Sequence, residues 1–268
     1  MNYNKSKQKK QTVRKKMNST TAAVGTKTST DRKTKKFKIV ERKKLDPALP
    51  DYNEFRLFDF QAYDYRNTDT KVTSYNFQIR MFGINTVGET CVLFVNNFRP
   101  FFYVQVPSTF NQIRADDLFI HYRDHANIPK YLRSEFLHAQ LESHQKLYEF
   151  TGSTSYKFLK LTFKTTRAFR QCKMLLSSKT LDAKMRYPTY ESNIPPLLRY
   201  FHIYSISPSG WVRLDHKETI PCEIKTSQCT YEYICSTRQI HPLPSKETPV
   251  PYKIASFDIE ASSSHGDF

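Results

Sequence analysis

The chain has 268 residues, a net charge of +17, and 38% hydrophobic and 14% aromatic residues, enough for one large domain or two small ones around an ordinary apolar core. Its five cysteines, Cys91, Cys172, Cys222, Cys229 and Cys235, are odd in number and form no Cys-x-x-Cys pair, which excludes a disulfide framework or zinc ribbon and favours a reducing compartment. There is no run of about 18 apolar residues to span a membrane and no apolar secretory core near the first residue, so a soluble intracellular protein with no membrane partner is expected.

The charge is unevenly spread. Residues 1–44 hold 16 of the 42 lysines and arginines and two of the 25 acids, a balance of +14 that leaves +3 for the remaining residues. That partition predicts a nearly neutral body carrying a polycationic arm. Few large apolar side chains precede Phe37, so little in the arm offsets the entropy of ordering it, and it is expected to be disordered. Two basic clusters, Arg14, Lys15 and Lys16, then Arg32, Lys33, Lys35 and Lys36, suit phosphate contacts or a nuclear import signal; a solubilising tail is the alternative.

Pro47 to Pro50 reads as a linker, after which aromatic and β-branched residues begin. Alternation predicts a strand over 55–65, with Phe55, Leu57, Asp59, Gln61, Tyr63 and Tyr65 on one face and Phe58 and Phe60 on the other. A second strand is expected over 75–84, a turn over 83–88, and further strands over 89–95 and 100–106 with Asn96 and Asn97 between them. Connections this short predict an antiparallel meander. Residues 111–145 lose the alternation and read as helical, with Leu132, Phe136 and Leu141 as apolar positions. A strand over 156–163 and a helix over 165–176 follow.

Residues 205–238 read as mostly extended, with a turn at Pro208–Gly210 ahead of Trp211, a packing anchor. Pro242, Pro244, Pro249 and Pro251 then mark a connector and a boundary near residue 245. A new strand is expected over 252–259, running into a serine-rich loop. The elements together predict an α+β fold, mostly antiparallel, divided into an arm (1–44), a main domain (45–245) and the start of another domain (246–268).

The residues that carry chemistry are Lys253-Ile254-Ala255-Ser256-Phe257-Asp258-Ile259-Glu260. On a strand, Asp258 and Glu260 would share one face while Phe257 and Ile259 point to the core. Paired carboxylates repel unless neutralised, and Mg²⁺ or Mn²⁺ suits their hard oxygens; a pair of such ions can cleave a phosphodiester. A solvent-facing strand edge is the plain alternative.

The run Phe257 to Phe268 resembles the first exonuclease motif of family B DNA polymerases, nearest the delta-like enzymes of eukaryotes and large DNA viruses. Tyr187-Pro188-Thr189-Tyr190-Glu191-Ser192-Asn193-Ile194-Pro195-Pro196-Leu197-Leu198-Arg199-Tyr200-Phe201, followed by Gly210-Trp211-Val212, is similar to a second block of that family. Gly88-Glu89-Thr90-Cys91 to Pro100-Phe101-Phe102-Tyr103-Val104 is similar to its amino-terminal β-hairpin. The resemblance spans residues 54–268.

It implies an amino-terminal polymerase domain followed by the first strand of a ribonuclease-H-like 3′ to 5′ proofreading exonuclease. It also implies Asp258 and Glu260 as catalytic metal ligands, Mg²⁺ or Mn²⁺ in the complete parent, and a role in DNA replication. The expected partners are primer-template and single-stranded template DNA, the remaining polymerase fragment and replication factors, in the nucleus or at a cytoplasmic viral replication site. The sequence ends at Phe268, ahead of the later exonuclease motifs and the polymerising palm, fingers and thumb. The isolated chain is therefore expected to bind no ion tightly and to catalyse neither reaction. Competing readings are a standalone nucleic-acid-binding module and a catalytically dead interaction protein.

Lesser candidates are His121 and His125, four apart on a helix with no third ligand nearby. Tyr63, Tyr65, Phe101, Phe102 and Tyr103 are stacking or core aromatics. Arg167, Arg170, Lys173 and Arg199 are phosphate contacts or surface charge.

Overall fold

A computed structural model describes residues 40–67, 74–146, 152–215, 220–222 and 224–258. The clusters Arg14, Lys15 and Lys16 and Arg32, Lys33, Lys35 and Lys36 lie outside these residues, as does Glu260. The last residues of the range read as an arm are held on the body. Arg42 pairs with the buried Glu232 at 3.3 Å, the Lys43 N–H donates to Thr230 O at 3.0 Å, and Leu45 is buried. The fold is α+β and dominated by two sheets.

The seven-stranded sheet has the order β11-β8-β1-β2-β3-β10-β9. Strands β1 (Glu54–Asn67), β2 (Ser74–Ile84) and β3 (Thr90–Val95) make the expected antiparallel meander. Its free edges are taken by later chain: β10 (Tyr231–Cys235) pairs parallel with β3 and antiparallel with β9 (Ile220–Pro221). On the other side β8 (Trp211–Leu214) pairs with β1 and with β11 (Ile240–Leu243). One face of this sheet buries Phe55, Leu57, Phe77, Ile79, Met81 and Leu93 under helix α3 (Pro196–Tyr204), which contributes Tyr200 to the same core. Ser205 ends α3 in the left-handed region at φ 53°, which lets Ile206 N–H reach Phe201 O.

The meander stops one strand earlier than the short connections predict. Strand β4 (Phe101–Val106) leaves for a second sheet of order β5-β6-β4-β7, because β10 fills the place beside β3. Strand β6 (Tyr156–Phe163) matches its expected range, and β7 is Thr189–Tyr190. The long helix expected over 111–145 is corrected: helix α1 covers Gln112–Asp124 only, and Phe136–His144 form β5. In β5 one side pairs with β6 and takes its order from that partner, so the absence of alternation did not signal helix. Chain order β4-α1-β5-β6-α2-β7 with this strand order is a split βαβ arrangement.

The helices α1 and α2 (Thr166–Ser177) seal one face of the second sheet over Phe102, Val104, Leu159, Leu161 and Phe163. Asn111 and Thr165 cap them, accepting from Arg114 N–H at 3.0 Å and Ala168 N–H at 3.2 Å. The first turn of α2 has no acid of its own. Asp64 of β1 supplies one, accepting from Thr166 N–H at 2.8 Å and Arg167 N–H at 3.1 Å, and so ties the first sheet to the helix behind the second.

The face assignment in β1 is corrected at one point. A bulge at Phe58 lets Leu57 and Asp59 oppose the successive residues Gly83 and Phe82. Past it, Phe60 turns to the core against Phe201 at 4.7 Å, and Asp59, Gln61, Tyr63 and Tyr65 change faces relative to Phe55 and Leu57. The strand expected over 252–259 has no β-ladder among the described residues, which run to Asp258.

Candidate functional site

The segment that carries Asp258 is fixed to the body at its start and released toward its end. Lys246 Nζ reaches Asp51 at 2.9 Å and Glu54 at 2.5 Å and lies 4.6 Å from the Trp211 ring centre. Burial alone would lower the Lys246 pKa, but the two carboxylates hold it above the ordinary lysine value. Trp211, 2% exposed, donates Nε1–H to Thr248 O at 3.1 Å, and Arg56 Nη1 reaches the same oxygen at 3.5 Å. Trp211 is thus the expected packing anchor and also a tether for the connector.

Pro251 lies against the β2–β3 turn. Gly88 there has φ +87°, and a Cβ on it would sit 3.2 Å from Pro251 Cγ, so both backbone and space call for glycine. Tyr252 meets the exposed Phe58 edge-on at 6.3 Å. Past Tyr252 the packing ends: Ile254 is 90% and Phe257 85% exposed, and Asp258 is exposed. Phe257 therefore does not face a core, because no neighbouring strand covers it among the described residues. Asp258 on such a segment does not by itself fit a divalent-cation site. Among the described residues no group of three His, Cys, Asp or Glu side chains could hold an ion.

Arg199, expected among the phosphate contacts, is corrected to a buried strut. Its side chain is 7% exposed, its guanidinium pairs with Glu191 and also donates to the Glu191 carbonyl at 2.9 Å, and it lies 4.4 Å from the Phe101 ring centre. Arg167 stacks on Tyr75 at 4.0 Å and pairs with Glu135 at 2.9 Å. Lys173 Nζ donates to Asn193, and Arg170 is exposed.

Of the aromatic candidates, Phe101 and Phe102 are core. Tyr63 is half-buried under Arg80, 4.6 Å away, while Tyr65 and Tyr103 are half-buried. The rings of His121 and His125 lie 6.1 Å apart, and His125 Nδ1 accepts from Asn127 N–H, an ordinary turn contact. All five cysteines are free thiols, and burial pushes Cys91, Cys172 and Cys235 well up in pKa.

One surface was legible in the sequence only in part, through the stacking candidates Phe101 and Tyr103: the face of the second sheet turned away from α1 and α2. Tyr103, His144, Lys146, Phe158, Tyr190 and Glu191 line a cavity of about 350 Å³ there. The alternation Tyr156, Phe158, Lys160 in β6 against Phe101, Tyr103 in β4 carries the signal, since one strand face was core and the other was aromatic too. Burial, with Glu142 and Glu191 nearby, pushes the Tyr103 pKa up to about 12 and keeps the hydroxyl a hydrogen-bonding group at neutral pH.

Comparison with known proteins gives a family. Residues 187–268 match the model described as DNA polymerase family B, exonuclease domain. A DNA polymerase of Phaeocystis pouchetii virus is 34% identical over 238 residues, covering 80% of this chain and 22% of its own length. A DNA polymerase of Pyramimonas orientalis virus is 29% identical over 218 residues, covering 80% of this chain and 18% of its own length. The DNA polymerase delta catalytic subunit of Dictyostelium discoideum is 24% identical over 202 residues, covering 71% and 18%. The chain thus spans about a fifth of the length of these curated relatives. The solved family B DNA polymerase of the hyperthermophilic archaeon Pyrobaculum calidifontis aligns at 19% identity and TM-score 0.46, over 71% of this chain and 21% of that one.

Proposed function

Since this chain belongs to the family B DNA polymerases, we propose that it serves as the amino-terminal part of a replicative DNA polymerase that also proofreads 3′ to 5′. The observation that carries the reading is the match of residues 187–268 to the exonuclease domain, with similarity to viral polymerases extending over 80% of the chain. In this role the two sheets scaffold the start of the exonuclease domain and meet template DNA. Asp258 and Glu260 would supply carboxylate oxygens to Mg²⁺ or Mn²⁺ once further ligands hold them, which is the chemistry hard divalent ions require. The chain's own contribution is positional: Trp211 and Lys246 set where residue 248 leaves the body, and so where the motif begins.

The 268-residue chain alone is expected to show neither polymerisation nor exonuclease activity, because among the described residues no group of three His, Cys, Asp or Glu side chains gathers to hold a divalent ion. Incubation with Mg²⁺ and a labelled primer-template checks this, and nucleotide incorporation or removal by the purified chain overturns it. Supplying the rest of a related viral polymerase in trans is then expected to restore template-dependent synthesis.

The concentration of +14 in residues 1–44 favours a second reading, a nucleic-acid-binding module in its own right. A salt titration on single-stranded and duplex DNA separates the two: binding that vanishes with residues 1–44 belongs to the basic arm alone.

A further inference from the structure

We propose that the free edge of β5 takes up an extended segment of another polypeptide as an added strand, one that presents apolar and basic side chains in turn toward α1. The smaller sheet ends at β5 on one side and at β7 on the other, and the larger one at β11 and β9. Three of these edges are blunted: β7 and β9 have two residues each, β11 has four, and β9 and β11 contain Pro221 and Pro242. Strand β5 has nine residues and no proline.

An antiparallel residue turns its N–H and C=O the same way, so Ala139, Leu141 and Ser143 point theirs away from β6. The side chain of Gln112, in the first turn of α1, already occupies part of this edge. Its Oε1 accepts from Leu141 N–H at 3.2 Å and its Nε2 donates to Ala139 O at 3.2 Å. That carboxamide fills the place of one peptide group of a neighbouring strand, and a strand supplies the same donor and acceptor along its whole length.

The flank of α1 beyond Gln112 gives the incoming strand its chemistry. Asp116, one turn on from Gln112, accepts from Gln112 Nε2 at 2.8 Å, and Ile113 and Ile120 lie on the adjoining stripe, 71% and 45% exposed. Asp117 is exposed as well. The ion pairs of this helix run from Arg123 and Arg133 to Asp124, so Asp116 and Asp117 are open to an incoming cation. An added strand would meet Ile113, Asp116 and Ile120 with every second side chain, which suits apolar, basic and apolar residues in that order. Its other side chains would stand beside the exposed His138 and Gln140.

The test uses the full chain and a fluorescein-labelled synthetic peptide, Lys-Val-Thr-Lys-Thr-Val-Lys, read by anisotropy. Ser143→Pro removes an outward N–H and leaves the β5–β6 pairing its own, and is expected to weaken binding about 10-fold, as for one hydrogen bond. Gln112→Ala clears the edge and is expected to tighten binding about fivefold, which keeps the test decisive if Ser143→Pro misfolds. N-methylation of one alternating set of peptide amides is expected to abolish binding and methylation of the other set to spare it, because only one set faces β5. Equal binding of the two methylated peptides overturns the proposal, as does unchanged affinity in Gln112→Ala together with a folded Ser143→Pro. Tighter binding when glutamate replaces the lysines overturns the assigned charge. In the free chain the Ser143 amide is expected to exchange fast; slow exchange there in a monomer, or a dimer in sedimentation that Ser143→Pro dissolves, gives the edge to this chain itself and overturns the assignment to a separate partner.

Discussion

Trp211 and Phe257 stand in similar sequence settings, each an aromatic in a short apolar run after a proline-containing stretch, yet one is 2% exposed and the other 85%. The difference lies in what each run pairs with. Trp211 begins β8, held between β1 and β11, while Phe257 lies where no ladder forms among the described residues. An alternating run states a capacity for strand; a neighbour with free N–H and C=O groups makes it one. The body and the motif segment of this chain therefore differ in partners more than in composition.

Substitutions along the gradient from body to motif sharpen this contrast. The largest effect is expected at Phe163, fully buried and stacked on Phe102 at 5.4 Å. Phe163→Ala should cost about 4 kcal/mol, read as a lowered urea midpoint. Next is Glu89, which accepts from Tyr231 Oη and Lys43 Nζ, each at 2.5 Å. Burial opposes its ionisation, but these donors win and hold its pKa below the usual carboxylate range.

A depressed folded-state pKa gives stability that is present above the unfolded-state pKa and lost as pH falls through the folded one. Glu89→Gln should therefore lose about 1.5 kcal/mol at neutral pH and flatten the acid limb of the stability curve, measured by urea unfolding across pH. An acid limb unchanged from the parent would show that another carboxylate sets it.

Trp211→Phe keeps most of the ring but removes the Nε1–H bond to Thr248 O. It should cost about 1 kcal/mol and speed amide exchange over 248–252 more than in β8. Smallest is Phe257→Ser, expected within about 0.5 kcal/mol of the parent. A loss there as large as that of Trp211→Phe would break the contrast outright, because it would mean that Phe257 is covered in solution.

The strands β1, β2, β3 and β6 and helix α2 were legible because their alternation or 3.6-residue spacing coincides with caps and turns nearby, such as Thr165 before α2 and Gly88 before β3. Strand β5 was not, since its side chains answer to β6 more than to a core of their own. Nor was the destination of β4, which depends on β10 arriving beside β3 from more than 120 residues later. Of the candidate sites, the Asp258 motif was legible as a string but not as a geometry. Arg199 looked like surface charge because nothing in sequence announces that Glu191 and Phe101 enclose it. The open groove was legible only at Phe101 and Tyr103, because Phe158, Tyr190 and Lys146 join them through strand register and not through sequence proximity.

The bulge at Phe58 has a consequence for chain length. With Phe58 deleted, Leu57 would be followed directly by Asp59, and their partners Gly83 and Phe82 are already consecutive, so both halves of β1 would keep their faces and their register. Removing a residue between Gln61 and Tyr65 while the bulge is kept would turn the rest of the strand over. Position 58 is thus a place in β1 where the length can change by a single residue without moving the core, and what such a change would give up is the ring that Tyr252 rests against on its way to the motif.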